Sequence, residues 1–229
     1  MACILSIESS TQTCSAAVST DGKLVWNEKN TDLASHSAVL GVYVAEAIRF
    51  IQTNNFRLDA VAVSEGPGSY TGLRIGVSLA KGLCFGMEIP LIALPTLRIM
   101  ATHFIPSASY LCPMIDARRM EVYAALFDGN LNEIAPVRAM IIKEDSYRDL
   151  LVHEKIIFFG NGAGKCKNII RSANAFFVDD VHPSASDMIE EAEKAFTRKD
   201  FVDVAYFEPF YLKEFQATTP KNKVIPVTL

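Results

Sequence analysis

The chain lacks most of what cysteine and histidine chemistry needs. Its five cysteines, Cys3, Cys14, Cys84, Cys112 and Cys166, are odd in number, scattered, and form no C-x-x-C pair. That pattern argues against a disulfide-stapled secreted domain and against thiolate zinc sites. It fits reduced thiols in a cytosol, used as small core residues. Only four histidines occur, His36, His103, His153 and His182, and no two are spaced i, i+4. None stands beside a cysteine or carboxylate pair at ligand spacing, so surface or capping roles are favoured over metal ligation. There is no excess of basic charge: 22 Lys and Arg against 26 Asp and Glu leave a net charge of −4. The chain therefore has no global field for nucleic acid. No apolar run is long enough for a membrane span, and residues 1–8 read as a strand rather than as a signal peptide. No G-x-S-x-G occurs, and no Cys/His pairing can be read from the sequence.

Half of the 229 residues are apolar, ample for a core in one large or two small domains. Residues 3–8, 14–20 and 23–29 read as strands, with Asp21-Gly22 as a hairpin turn. A helix from Ala34 to Thr53 follows, then a strand at 60–64, a Gly-rich run, and a helix to about Met87. Leu91–Leu94 is a short strand ended by Pro95, and Thr96 is placed to cap a helix to about His103. The pattern then restarts. Tyr110–Asp116 and Glu121–Phe127 are strands, 136–142 a third, Ser146–His153 a helix, and Ile156–Phe159 an apolar strand. Ser186–Lys199 is an amphipathic helix with Ser186 as its cap. The repetition points to duplicated domains, bounded near Pro106-Ser107-Ala108-Ser109. The tail from Thr218 to Leu229, polar and with two prolines, reads as mobile in the isolated chain.

The run Gly66-Pro67-Gly68-Ser69-Tyr70-Thr71-Gly72-Leu73-Arg74-Ile75-Gly76 joins a strand to a helix. Such a junction is a natural anion cradle, because unpaired N–H groups at the helix start point out of the turn. It is equally the form of a plain tight connection, which spacing alone favours. It is not the dinucleotide fingerprint, since its third Gly falls one place late. Gly160-Asn161-Gly162-Ala163-Gly164-Lys165-Cys166 resembles a P-loop but has Phe159 at the first Gly position and Cys166 where a Ser or Thr would hold magnesium. A binding crevice and a plain turn both fit it. Asp116 and Glu121 flank a strand turn containing Arg118 and Arg119, which reads as a solvated charged hairpin tip.

Two helices carry more apolar surface than a sheet needs. In the first, Val39, Leu40, Tyr43, Val44, Ala47, Ile48, Phe50 and Ile51 cover about 200° of the wheel. In the second, Arg74, Ser78 and Lys81 form a narrow polar stripe, with Leu73, Ile75, Val77, Leu79, Ala80, Leu83, Cys84 and Met87 around it. Gly72/Gly76 and Gly82/Gly86 are i, i+4 small pairs that let another backbone come close. Packing of the helices on each other is one cover for the surplus; a second chain is the other.

The Gly66–Gly76 run is similar to the signature of the TsaB (YeaZ) family, which takes part in making threonylcarbamoyladenosine (t6A) in tRNA. Ile4–Ser10, Thr96-Leu97, Ile115–Arg118, Glu121–Tyr123, Gly160–Gly162, Asp187-Met188 and Glu208–Leu212 agree in order, so the resemblance spans about residues 3–212. It implies an α/β actin-like ATPase (ASKHA) fold of two ribonuclease-H-like domains. Those are expected at 1–105 and 106–217, the last segment of the second returning to the first, with a mobile tail at 218–229. The resemblance also separates this chain from the catalytic paralogue TsaD and its metal-binding H-x-x-x-H. Thr96 and Met100 stand where those histidines would be, and Ser184 falls loosely at the later aspartate ligand. A hydroxyl and a thioether do not hold a hard cation. The implied role is a cytoplasmic, non-catalytic subunit without cofactor that pairs with and activates TsaD and helps recruit the ATPase TsaE. Alone it would be a homodimer or a monomer, and it would meet tRNA only through the complex. The expected pairing surface is Val39, Leu40, Tyr43, Val44, Ala47, Leu73, Gly76, Val77, Ala80 and Cys84. A vestigial nucleotide cleft would involve Ser9, Ser10, Gly66, Gly68, Gly160 and Gly162. The rival readings are an ATP-dependent small-molecule kinase of the same fold and a metallopeptidase.

Overall fold

Strand periodicity and tight turns build two β-sheets of the same design. The computed structural model describes residues 2–30, 36–107 and 109–213, with backbone alone for 36–38. The expected first turn of the opening helix at Ala34 and Ser35, and the tail from Thr218, lie outside the described residues. The first lobe contains β1 (Cys3–Glu8), β2 (Cys14–Thr20), β3 (Lys23–Asn30), α1 (His36–Thr53), β4 (Ala60–Gly66), α2 (Tyr70–Met87) and β5 (Leu91–Pro95). α3 (Thr96–Ala101) and a 3-10 turn, Thr102–Phe104, lead to the second lobe. There follow β6 (Tyr110–Asp116), β7 (Glu121–Phe127), β8 (Glu133–Ile141), α4 (Arg148–Leu151), β9 (Ile156–Phe159) and β10 (Ala175–Val178). A 3-10 turn, Ala185–Met188, and α5 (Ile189–Arg198) close the regular structure.

The strand orders are β3-β2-β1-β4-β5 and β8-β7-β6-β9-β10. In each sheet the first three strands are antiparallel and the other two run parallel to the first. Asp21 and Gly22, both at positive φ, make the β2–β3 hairpin turn. β1 is buried along its whole length because both its faces are covered. Cys3, Leu5 and Ile7 pack under α1 and α2. Ile4 faces the other way, with Ala60, Ala62, Ile92 and Leu94, and meets Met188, Ala192 and Ala195 from the chain's last helical segment.

The connecting helices cross between lobes. Leu97, Met100 and Ala101 of α3 pack on the second sheet with Leu111, Ile115 and Phe159, while α5 packs on the first. Arg98 ties them: its Nε donates to Glu191 Oε2 at 2.5 Å and a terminal nitrogen donates to Leu131 O at 2.8 Å. Beyond α5 the chain returns along the first lobe and, at Lys213, reaches Glu121 of the second. Val202 N–H donates to Leu91 O, Lys81 Nζ to Phe207 O, and Phe210 N–H to Glu65 O.

Local readings need correction in five places. Thr96 is the first residue of α3 rather than its cap, which is Pro95, and α3 ends at Ala101 before the 3-10 turn. Ser186 pairs with Ser184 Oγ at 2.9 Å within a 3-10 turn, and α5 starts only at Ile189. The helix expected at 146–153 shrinks to Arg148–Leu151, and β8 runs from Glu133 rather than 136. β10 was not anticipated: at four residues it is too short to show a period.

Candidate functional site

The Gly-rich run sits where β4 ends and α2 begins, and its glycines are filled by the chain itself. Ser69 caps α2, its Oγ accepting from Gly72 N–H at 3.3 Å, while Ser69 N–H donates to Ser10 O at 2.6 Å. Ser9 Oγ donates to Gly72 O at 2.8 Å. A Cβ on Gly68 would strike Ser10 O, one on Gly72 would strike Ser9 O, and one on Gly76 would strike Ser9 Oγ. Gly66 has φ +118°, and a Cβ there would lie 2.7 Å from Phe210 O. The glycines thus let the loop after β1, and the returning segment, press against the helix start. The second turn behaves alike. Gly160 (φ +98°) packs on Met114 O and the Met100 methyl, and Gly162 packs on Ile115. Lys165, the P-loop-like lysine, is committed to the β6–β7 hairpin: it donates to Asp116, to Arg119 O at 2.8 Å and to Glu121 O at 2.7 Å. So the six residues of the expected cleft lie in the loop after β1 and in two tight turns, all packed against the chain itself. Ser9 and Ser10 are buried.

The residues aligned with a metal triad do not form one. Thr96, Met100 and Ser184 are buried; the Thr96 hydroxyl has no hydrogen-bond partner and Ser184 bonds Ser186. Their donor set is two hydroxyls and a thioether, which does not fit a hard cation. Among the described residues no three His, Cys, Asp or Glu side chains gather as a ligand group.

Close by lies a polar group that the motif reading passed over. Glu8, at the end of β1, is fully buried. Its Oε1 accepts from Ser10 N–H and from Ser10 Oγ–H, both at 2.6 Å. Burial pushes this carboxyl up to about 7, with the Asp187 charge adding to the rise, while the hydroxyls of Ser10 and Ser64 pull the other way. Asp187 pairs with His103 Nε2 at 2.9 Å, and that contact raises the imidazole's pKa. A carboxylate ending an otherwise apolar strand was the available signal for Glu8. Nothing in sequence spacing links His103 to Asp187, 84 positions away.

The helix faces also come out differently from the wheel reading. Leu40, Val44, Ala47, Leu73, Gly76, Val77, Ala80 and Cys84, eight of the ten expected pairing residues, are buried within the chain's own fold. They face their own sheet because a helix over a sheet spends its most apolar stripe there first. Val39 and Tyr43 are half-buried. What remains outward is the flank: half-buried Ile75, Leu79 and Leu83, with Val42 53% and Phe85 83% exposed. Arg74, Ile75, Ser78 and Leu79 line a shallow groove on α2. At Gly82 and Gly86 an added Cβ would meet nothing within 4 Å, the reverse of Gly72 and Gly76. Beside this face Arg74 lies over the Tyr70 ring at 4.2 Å and donates to Tyr211 Oη at 3.3 Å. Among the described residues no helix is long and apolar enough to cross a membrane.

Two five-stranded sheets of identical order, with helices exchanged between them, define a two-domain α/β protein of the actin-like class. The profile of the family described as TsaD, tRNA N6-adenosine threonylcarbamoyltransferase, matches residues 32–221. The protein named tRNA threonylcarbamoyladenosine biosynthesis protein TsaB from Escherichia coli K12 is 29% identical over 225 residues, covering 92% of this chain and 94% of that one. A solved structure of YeaZ from Pseudomonas aeruginosa superposes with a TM-score of 0.76 at 24% identity, over 93% of this chain and 100% of that one. A second, from the same organism and described as an uncharacterized protein with similarity to peptidase YEAZ, has a TM-score of 0.81 at the same identity and coverage. The chain belongs to the TsaD family, in the branch whose members are named TsaB and YeaZ.

Proposed function

We propose that this chain serves in the synthesis of threonylcarbamoyladenosine in tRNA as a non-catalytic subunit that pairs with a TsaD transferase. The observation that carries the reading is the outward face of α1 and α2. After the first lobe has built its own core, Val42, Tyr43, Ile75, Leu79, Leu83 and Phe85 are still wholly or partly in water. A large apolar side chain gains about 1.5–3 kcal/mol on full burial, so a helix partner seated on this face has a ready source of affinity. The groove along Arg74–Leu79 and the open backbone at Gly82 and Gly86 suit close approach of a second helix. The same face would serve a homodimer when TsaD is absent. The metal-triad positions, held by Thr96, Met100 and Ser184, support a role in holding TsaD in a productive state rather than in group transfer. Recruitment of TsaE and access to tRNA then belong to the complex.

The test uses Leu79→Glu and Phe85→Glu on the outward face. Each chain should fold with near-normal circular dichroism and melting temperature, yet fail to co-purify with TsaD and fail to restore t6A in cells lacking the wild-type chain. A Phe85→Glu chain that pairs and restores t6A as the wild type does would overturn the reading.

A further inference from the structure

The tip of the β6–β7 hairpin is built at a cost that its strands do not require. Arg118 and Arg119 sit in succession at φ +70° and +53°. Turn positions in the left-handed region are ordinarily filled by Asn, Asp or Gly, because a larger side chain there is strained. Non-glycine residues held in that region persist where surrounding contacts over-determine them, and such outliers gather at functional sites. The surrounding contacts are present. Arg118 N–H donates to Asp116 Oδ1 at 2.9 Å, Asp116 N–H donates to Asn161 Oδ1 at 2.9 Å, and Ala117 N–H and Glu121 O close the hairpin at 3.1 Å. Lys165 enters from the turn after β9 and spends its donors on Asp116, Arg119 O and Glu121 O. Lys213, on the returning segment, pairs with Glu121 from the other side. The two acidic groups at the tip are thereby taken up by lysines. Both arginine side chains are exposed, and among the described residues no hydrogen bond or ion pair engages either guanidinium.

We infer that Arg118 and Arg119 form a rigid, preorganised contact for the phosphate backbone of RNA, held out at the hairpin tip of the second lobe. The inference rests on the reading of the chain as a subunit of a tRNA-modifying complex. A guanidinium presents a planar fork of donors that matches two phosphate oxygens, and a fixed turn removes the ordering cost that free arginines carry. Such contacts position an RNA without reading its sequence. They also let a chain of net charge −4 contribute a local cationic point, because the flanking Asp116 and Glu121 are neutralised within the fold.

The experiment uses the full chain in complex with its TsaD partner and an unmodified tRNA transcript. Binding is measured across a salt series. The variant Arg118→Asn with Arg119→Gly places ordinary turn residues at both positions. It should melt no lower than the wild type and co-elute with TsaD unchanged. It should bind tRNA about ten-fold more weakly at moderate salt, with a salt slope shallower by roughly two, one for each phosphate that no longer meets a guanidinium. Arg118→Lys with Arg119→Lys should keep most of the salt slope. Unchanged tRNA affinity and slope in the Asn/Gly variant, or no tRNA binding by the wild-type complex, would overturn the inference. Loss of co-elution with TsaD at full stability would overturn it too, assigning the arginines to a protein contact. Failure of the wild-type chain to co-elute would bring down the pairing reading and this inference together, whereas co-elution with unaltered tRNA affinity brings down this one alone.

Discussion

The two lobes solve one packing problem with very different amounts of helix. Each has a five-stranded sheet of the same order and pairing. The first covers one face with α1 and α2, 18 residues each. The second covers the corresponding face with the four-residue α4 and the turns that carry Ala163, Cys166 and Ile170. That slight cover is enough to bury Cys112, Met114, Val122 and Phe158 completely. Two long helices are therefore more than sheet coverage demands, and the excess shows as apolar side chains on their outer flank. The strand ends differ as well. Glu8 closes β1 as a fully buried carboxyl, whereas Asp116 closes β6 exposed and paired with Lys165. In the first lobe the strand end is packed shut and the helices face outward; in the second the strand end supports an exposed tip.

The comparison predicts opposite outcomes for neighbouring residues of α2. Val77 is 4% exposed and packs on the first sheet, and Leu40 of α1 is 0% exposed in the same cluster. A glutamate at either position has no partner and no water, so Val77→Glu and Leu40→Glu should each cost on the order of 4 kcal/mol or more and leave little folded chain. Leu79→Glu, two residues on and half-exposed, should fold. Chemical denaturation of the isolated variants decides it: a Val77→Glu chain with wild-type stability would break the division of α2 into an inner and an outer face.

The buried strand end at Glu8 gives a second prediction, of intermediate size. A carboxyl whose folded pKa is raised binds its proton more tightly in the folded state. It therefore lowers stability as pH rises from the ordinary carboxylate range to about 7, and the loss is complete above that. Glu8→Gln keeps an acceptor for Ser10 and has no charge to bury. The variant should match the wild type near pH 4.5 and exceed it by about 3 kcal/mol above pH 7. Stability of the two chains measured from pH 4.5 to 8 checks this, and parallel curves for wild type and Glu8→Gln would show that Glu8 is not a strained buried acid.

How much of this was legible depends on the range of the interaction. β1 to β4, α2 and the restart at Tyr110 were readable because turns such as Asp21-Gly22 and the apolar runs act locally. The direction each helix faces was not. On the wheel Val77 and Leu79 are equally apolar, and only the sheet beneath α2 distinguishes them. The Gly-rich run was found but its purpose was ambiguous, because a glycine needed for a phosphate and a glycine needed for Ser9 look the same in one dimension. The same limit hid Glu8 among the strand residues and the pairing of His103 with Asp187. Lys165 was visible as part of a P-loop-like run, yet its role in bracing the hairpin tip depends on a partner 49 positions away.

The smallest expected effect sharpens the division most finely, because it concerns glycines within one helix. Gly72 and Gly76 are i, i+4, as are Gly82 and Gly86, and the sequence treats the two pairs alike. In the fold they are opposites. Ser9 occupies the space at Gly72 and Gly76, so alanine at either forces apart the loop after β1 and the helix start. Gly82 is exposed, in helical conformation, with open space where a Cβ would go. Gly82→Ala should thus stabilise the isolated chain by about 0.5–1 kcal/mol, by helix propensity and by a less flexible unfolded chain. If a partner helix approaches on this side, the same methyl group stands in its path. Gly82→Ala should then raise the melting temperature while weakening association with TsaD, a pairing of signs that no folding defect produces. Association measured by titration at a temperature where both chains are fully folded separates the two effects. A variant that is more stable and pairs as tightly as the wild type would leave α2 facing outward but move the partner's closest approach toward Ile75 and Leu79.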